Sequence, residues 1–115
     1  MNEKDTVAAL AALAQESRLA VYRLLVQRGP DGYPAGEISE QLAIPGPTLS
    51  FHLKELAAAG LVAARKDGRF IYYRPNFERV RALVGYLTDN CCSLAATCAP
   101  ECAAPVATRR RKKSA

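Results

Sequence analysis

The stretch NCCSLAATCAPECAAP, Asn90 to Pro105, holds all four cysteines of the chain, Cys91, Cys92, Cys98 and Cys102, after ninety residues without one. Thiolate sulfur is soft and selects soft acceptors, so a cluster of this kind suits trivalent arsenic or antimony, zinc or cadmium. Adjacent cysteines offer two ligands at little loop-closure entropy, and a third a few residues on costs only a short loop. Zinc prefers a closed tetrahedron with ligands two to four residues apart, a spacing that Cys98 and Cys102 meet and the contiguous pair does not. Redox sensing is a second chemistry, in which thiols such as Cys92 and Cys98 oxidise to a disulfide. Packing as a small hydrophobe accounts for Cys91 better than for the other three.

Composition narrows the setting. A chain of 115 residues, half of them apolar, is expected to be one domain with a buried core. The N-terminus MNEKDTVAAL is charged and lacks the apolar run of a signal peptide. No stretch approaches the ~18–20 apolar residues of a membrane span. The expectation is a cytoplasmic protein with no membrane partner, whose thiols stay reduced and available for metal or redox chemistry. Five of its positive charges sit in the tail Arg109 to Lys113, and the remaining 11 basic residues balance 11 acidic ones. Such a run is either a solvated tail or an accessory contact to phosphates. Catalysis is not expected: His52, the single histidine, has no third group in sight to orient it beside a thiol.

The elements that must position these residues come from periodicity. Val7, Leu10, Leu13 and Ala14 mark a helix over 6–14, and Leu19, Val21, Leu24 and Leu25 a second over 16–27. Gly29-Pro30-Asp31-Gly32 breaks it, and a short helix follows over 36–43. Pro45-Gly46-Pro47 then precedes a helix to about Ala59, with Leu49, Leu53 and Leu56 on one face and Gly60 as its stop. The period changes to strand-like at 61–65 and again at 70–74, joined by Lys66-Asp67-Gly68-Arg69 with its Asp-Gly turn signature. A last helix carries Phe77, Val80, Leu83, Val84 and Leu87 on one stripe. Past Asn90 the composition turns to Ala, Pro and Ser, and little regular structure is expected.

This order, α-α-α-α-β-β-α, is mainly α with a small β-hairpin: a winged helix-turn-helix. The second helix of such a motif enters the major groove and the hairpin lies on the backbone or minor groove. Between Thr48 and Arg74 five basic residues stand against two acidic ones, a balance of +3 where the body averages zero. If the three leucines face the core, Thr48, Ser50, Phe51 and His52 turn outward. Thr48 and Ser50 suit phosphate or base edges, and Phe51 suits a thymine methyl. Lys54, Arg65, Lys66 and Arg69 would hold the backbone of double-stranded operator DNA.

The segments ALAQESRLAVYRLL, EISEQLAIPGPTLSFHLKELAAAGLV and ARKDGRFIYYRP resemble the ArsR/SmtB family of metal- and metalloid-responsive repressors over roughly Val7 to Asn90. The resemblance implies a homodimer held by the first and last helices, and repression relieved by an inducer. The stripes at 7–14 and 77–87 suit that interface and would equally suit ordinary core. The Cys-x-Cys pair of many arsenic-responsive members has no counterpart in Pro34 to Ser39, and the last helix lacks the histidines of the zinc-responsive members. Gly46 and Pro47 alter the usual polar entry to the recognition helix. Some members place a vicinal cysteine pair after the last helix with a third beyond, and Cys91, Cys92 and Cys98 fit that pattern, with Cys102 as an extra ligand. The implied division is residues 1–90 for DNA binding and dimerisation, and 91–115 for inducer binding and a basic tail. As(III) or Sb(III) is the implied inducer, with zinc or cadmium and thiol redox as alternatives.

Overall fold

A computed structural model describes residues 1–96. Its elements run α1 (Glu3–Leu13), α2 (Glu16–Arg28), β1 (Tyr33–Pro34), α3 (Ala35–Leu42), α4 (Gly46–Ala58), β2 (Val62–Asp67), β3 (Phe70–Pro75) and α5 (Phe77–Thr88). Helices α1, α2 and α5 each start where a side chain takes up an orphan N–H. Asn2 Oδ1 accepts from the Asp5 amide at 2.7 Å, Gln15 Oε1 from Arg18 at 2.8 Å and Asn76 Oδ1 from Arg79 at 3.3 Å. Glu3 and Asp5 in the first turn of α1 also complement its dipole. Gly29, at φ 97°, ends α2 as the sequence expects.

The hairpin forms with Val62 opposite Pro75 and Asp67 opposite Phe70, leaving Gly68 and Arg69 as a two-residue loop in which Gly68 takes φ 63°. The sheet has a third strand that periodicity did not reveal. Tyr33 and Pro34 pair antiparallel with Tyr73 and Tyr72, giving the order β1-β3-β2. Two residues are too few to display an alternation.

The core joins Val21, Tyr22 and Leu25 of α2, Ile38 of α3, Leu49, Leu53 and Leu56 of α4, and Leu61, Val62 and Leu83. Burial of a leucine of this kind stabilises by roughly 1.5–3 kcal/mol. Helix α1 turns its small face inward: Thr6, Ala9 and Ala12 are buried where it packs on α2 and α4. Its larger residues stay outside, with Val7 59% and Leu10 42% exposed. On α5 only Leu83 is buried, and Val84, Tyr86 and Leu87 are exposed. Each stripe is therefore split: Leu83, with Leu13 and Val80 packed against the core, faces inward, and Val7, Leu10, Val84 and Leu87 stay outside. Leu19, expected on the apolar face of α2, is exposed as well.

Gly60, at φ 78°, turns the chain from α4 into β2. A Cβ there would meet Arg79 Nε at 2.9 Å, because the Arg79 guanidinium lies over the glycine and donates to the Ala59 carbonyl at 3.4 Å. Asn76 Nδ2 donates to the Gly60 carbonyl at 3.1 Å, so α5 is pinned to the end of α4 by polar groups as well as by Leu83.

Tyr22 is buried, and its hydroxyl finds no hydrogen-bond partner among the described residues. Burial pushes its phenol above the usual value of 10.0. A raised folded-state value means full stability below about pH 10 and a loss as pH rises beyond it. In urea unfolding, Leu56→Ala should cost about 2–5 kcal/mol. Tyr22→Phe should be neutral or stabilising and should reduce the stability loss above pH 10.

Candidate nucleic-acid interface and cysteine site

Helices α3 and α4 meet at a tight turn in which Ala43 takes a left-handed φ of 54° and the Ile44 amide donates to the Ser39 carbonyl at 3.1 Å. The Ser39 hydroxyl donates to the Ile44 carbonyl and closes the same turn. Pro45 then precedes α4 with no side-chain cap, and Pro47 sits in its first turn, where a missing N–H costs nothing. The turn fixes where α4 begins; its buried leucines fix how it is rotated.

That rotation leaves Thr48, Ser50, Phe51 and Lys54 on the exposed side of α4. His52 is the exception to the expected outward set. It is 7% exposed, and its Nδ1 has no hydrogen-bond partner among the described residues. The reason is spacing: His52 lies three residues after Leu49 and four before Leu56, so it widens the buried stripe instead of leaving it. Reading the leucines alone made that stripe too narrow. The His52 ring backs the exposed Phe51 ring, centroids 5.8 Å apart and planes tilted by 59°.

On the hairpin, Arg65, Lys66 and Arg69 are all exposed. Arg65 is also engaged within the protein. Its guanidinium lies 3.4 Å from the Asp67 carboxylate, donates to the Asp31 carbonyl at 3.1 Å and sits 4.8 Å from the Tyr72 ring centroid. The exposed ion pair contributes at most about 1 kcal/mol, and of the three contacts the one to Asp31 ties the strand to the loop before β1 while the other two stay within the hairpin. Lys66 and Arg69 have no such ties among the described residues, and Arg69 occupies the turn itself. A groove lined by Gly36, Ser50, Arg69, Phe70, Ile71 and Tyr73 joins the hairpin to α4. Phe70 and Ile71 are exposed apolar residues in it that the sequence reading treated only as strand formers.

The helix ends before the cysteines, where little regular structure is expected past Asn90. Asp89 caps α5, its backbone amide donating to the Tyr86 carbonyl, and Asn90 at φ 59° turns the chain out of the helix. Cys91 therefore does not extend the Leu87 stripe. Consecutive turns follow, with the Cys91 amide on the Thr88 carbonyl at 3.1 Å, Ser93 on Asn90 at 2.9 Å and Ala95 on Cys92 at 3.0 Å. Cys92 is itself left-handed at φ 64°. Cys91 is exposed, Cys92 half-buried, and their sulfurs lie 3.6 Å apart. Cys98, Cys102 and the tail Arg109 to Lys113 lie outside the described residues. Within the described residues no three His, Cys, Asp or Glu side chains are gathered as a metal site, and no helix is long and apolar enough to cross a membrane.

The family model described as "Helix-turn-helix domain" matches residues 13–65, which covers α2 through the start of β2. The uncharacterized HTH-type transcriptional regulator YceK of Bacillus subtilis is 46% identical over 61 residues, 53% of this chain and 60% of that protein. The chain thus spans less than two thirds of that relative's length. The homodimeric winged helix-turn-helix DNA-binding domain Mb0332 of Mycobacterium bovis, a possible ArsR-family transcriptional regulator, superposes with a TM-score of 0.62 at 31% identity, covering 76% of this chain and 81% of that one. The chain belongs to the ArsR family. A further neighbour is a possible transcriptional regulator for arsenical resistance, at TM-score 0.58 and 32% identity over 69% of this chain and 82% of that one. These relatives are transcriptional regulators and not enzymes, as the sequence reading expects.

As an ArsR-family interface, the α4 and hairpin surface divides into residues that pack and residues that present. Arg69→Ala should weaken binding to DNA about equally across sequences and lower the slope of log affinity against log salt by about one. His52→Ala should lower thermal or urea stability by about 2 kcal/mol through lost packing, where a purely outward residue would leave stability unchanged.

Proposed function

We propose that the chain is a homodimeric operator-binding repressor, released from DNA by trivalent arsenic or antimony held on Cys91, Cys92 and Cys98. The observation that carries the inducer half of this reading is the Cys91–Cys92 sulfur separation of 3.6 Å directly after α5. With metal–sulfur bonds of about 2.3 Å, two sulfurs on one tetrahedral centre stand about 3.8 Å apart. A pyramidal three-thiolate centre, with narrower angles, draws them closer. The pair is already at the spacing that one soft atom requires, and Cys98 is the third ligand of the proposed site. Cys102 is a reserve ligand that a tetrahedral metal would recruit. The neighbour related to arsenical resistance supports the same inducer class.

The DNA half rests on the exposed set Thr48, Ser50, Phe51 and Lys54 on α4 with Lys66 and Arg69 on the hairpin. Arg65 serves mainly to brace the hairpin, and His52 to back Phe51. Phosphate contacts from the basic side chains position the protein, and the α4 side chains read base edges. Two copies meet through the exposed apolar residues Val7 and Leu10 of α1 with Val84, Tyr86 and Leu87 of α5. Such faces are costly in water and are a natural interface between copies.

Coupling runs through the end of α5. The Cys91 amide is bonded to the Thr88 carbonyl, and the Thr88 hydroxyl to the Val84 carbonyl at 2.9 Å. Metalloid capture draws Cys98 onto the 91–92 pair and biases the packing of the helix that carries the dimer face. A coupling of about 1–3 kcal/mol then misaligns the two recognition helices with their half-sites.

The test is a titration of the reduced, promoter-bound protein with arsenite, antimonite, zinc, cadmium and an oxidant, followed by DNA anisotropy. Arsenite or antimonite should release DNA, and Cys91→Ser, Cys92→Ser and Cys98→Ser should bind DNA normally without release. Release by zinc or cadmium alone would replace the three-thiolate site by one including Cys102. Release by oxidant alone would make the cluster a redox switch.

A further inference from the structure

Phe51 is a large aromatic side chain 55% exposed between Ser50 and Lys54 of the recognition helix. The helix carries no geometric need for it: Leu49, Leu53 and Leu56 already make the core contacts. Leaving such a ring half in water forgoes much of the burial that phenylalanine supplies elsewhere. Its orientation is nevertheless defined, because the buried His52 ring lies behind it. The surroundings specify what covers it. Lys54, Lys66 and Arg69 are exposed on the same α4 and hairpin surface, and the charge balance over residues 48–74 is +3. A polyanion fits that charge, and the polyanion must offer an apolar group. In the major groove only one base edge does so, the C5 methyl of thymine.

Resting on the operator-binding reading above, we infer that Phe51 reads the C5 methyl of a thymine in each operator half-site. Ser50, next to it and lining the groove toward Arg69 and Phe70, supplies the polar contact that sets the register. Recognition at this position is of a methyl group and not of a hydrogen-bonding pattern. A 5-methylcytosine presents the same group at the same C5 position, so it satisfies the ring where unmodified cytosine does not.

The full chain is used to enrich duplexes from random DNA, and the enriched half-site is resynthesised with each thymine replaced in turn by deoxyuridine. Affinity is read by anisotropy at fixed salt. One thymine per half-site should lose about fourfold in affinity per methyl removed, the equivalent of about 0.8 kcal/mol. Replacing that base pair by one bearing 5-methylcytosine should bind more tightly than the same pair with cytosine. Phe51→Ala should bind the thymine duplex more weakly and should not distinguish it from the deoxyuridine duplex, with an unchanged melting curve because the ring is half exposed. Phe51→Leu should keep part of the methyl preference. Enriched DNA whose affinity is indifferent to every thymine methyl, or a Phe51→Ala variant that keeps the preference, overturns this inference and leaves operator binding intact. Failure to enrich any duplex overturns operator binding and this inference with it.

Discussion

The buried stripe of α4 is the constraint on which the rest depends. Leu49, Leu53 and Leu56, widened by His52, lock the helix at one rotation against α2 and α3. A turn of roughly 100° about its axis would bury Phe51 and expose a leucine, and each such exchange costs a few kcal/mol. Because the rotation is held by packing, the face that carries Thr48, Ser50, Phe51 and Lys54 is fixed in direction. The uncapped start at Pro45 and the proline in the first turn then set where that face begins.

The fold was largely legible because its signals are local. Leucines at helical spacing, a Gly-Pro-Asp-Gly break and an Asp-Gly turn between aromatic and branched runs each carry their own physics. What escaped was non-local or too short. The strand Tyr33–Pro34 exists because β3 offers it an edge, and nothing within two residues announces that. His52 was misplaced because a polar residue at a core spacing reads as surface until its neighbours are known. The stripes of α1 and α5 were open between core and interface; Ala9 and Ala12 let α1 pack on its small face and leave Val7 and Leu10 outside, while Leu83 of α5 joins the core.

At the far end of α5, helix geometry gives way to turns. Asn90 and Cys92 both adopt left-handed backbone, a conformation rare for residues with a side chain. Composition signals little regular structure past Asn90 but does not say which turns the backbone takes. The consequence for the thiols is favourable. Successive turns bring adjacent side chains into contact, where neighbouring positions on a helix would diverge by about 100°.

The short strand β1 carries a mechanical consequence. It runs directly into α3 while pairing with β3, and Arg65 of β2 holds the Asp31 carbonyl just ahead of it. Hairpin and α3 are thus tied together through residues 31–34. The loop works as a splint: a load on the hairpin passes through it into the helix that opens the turn.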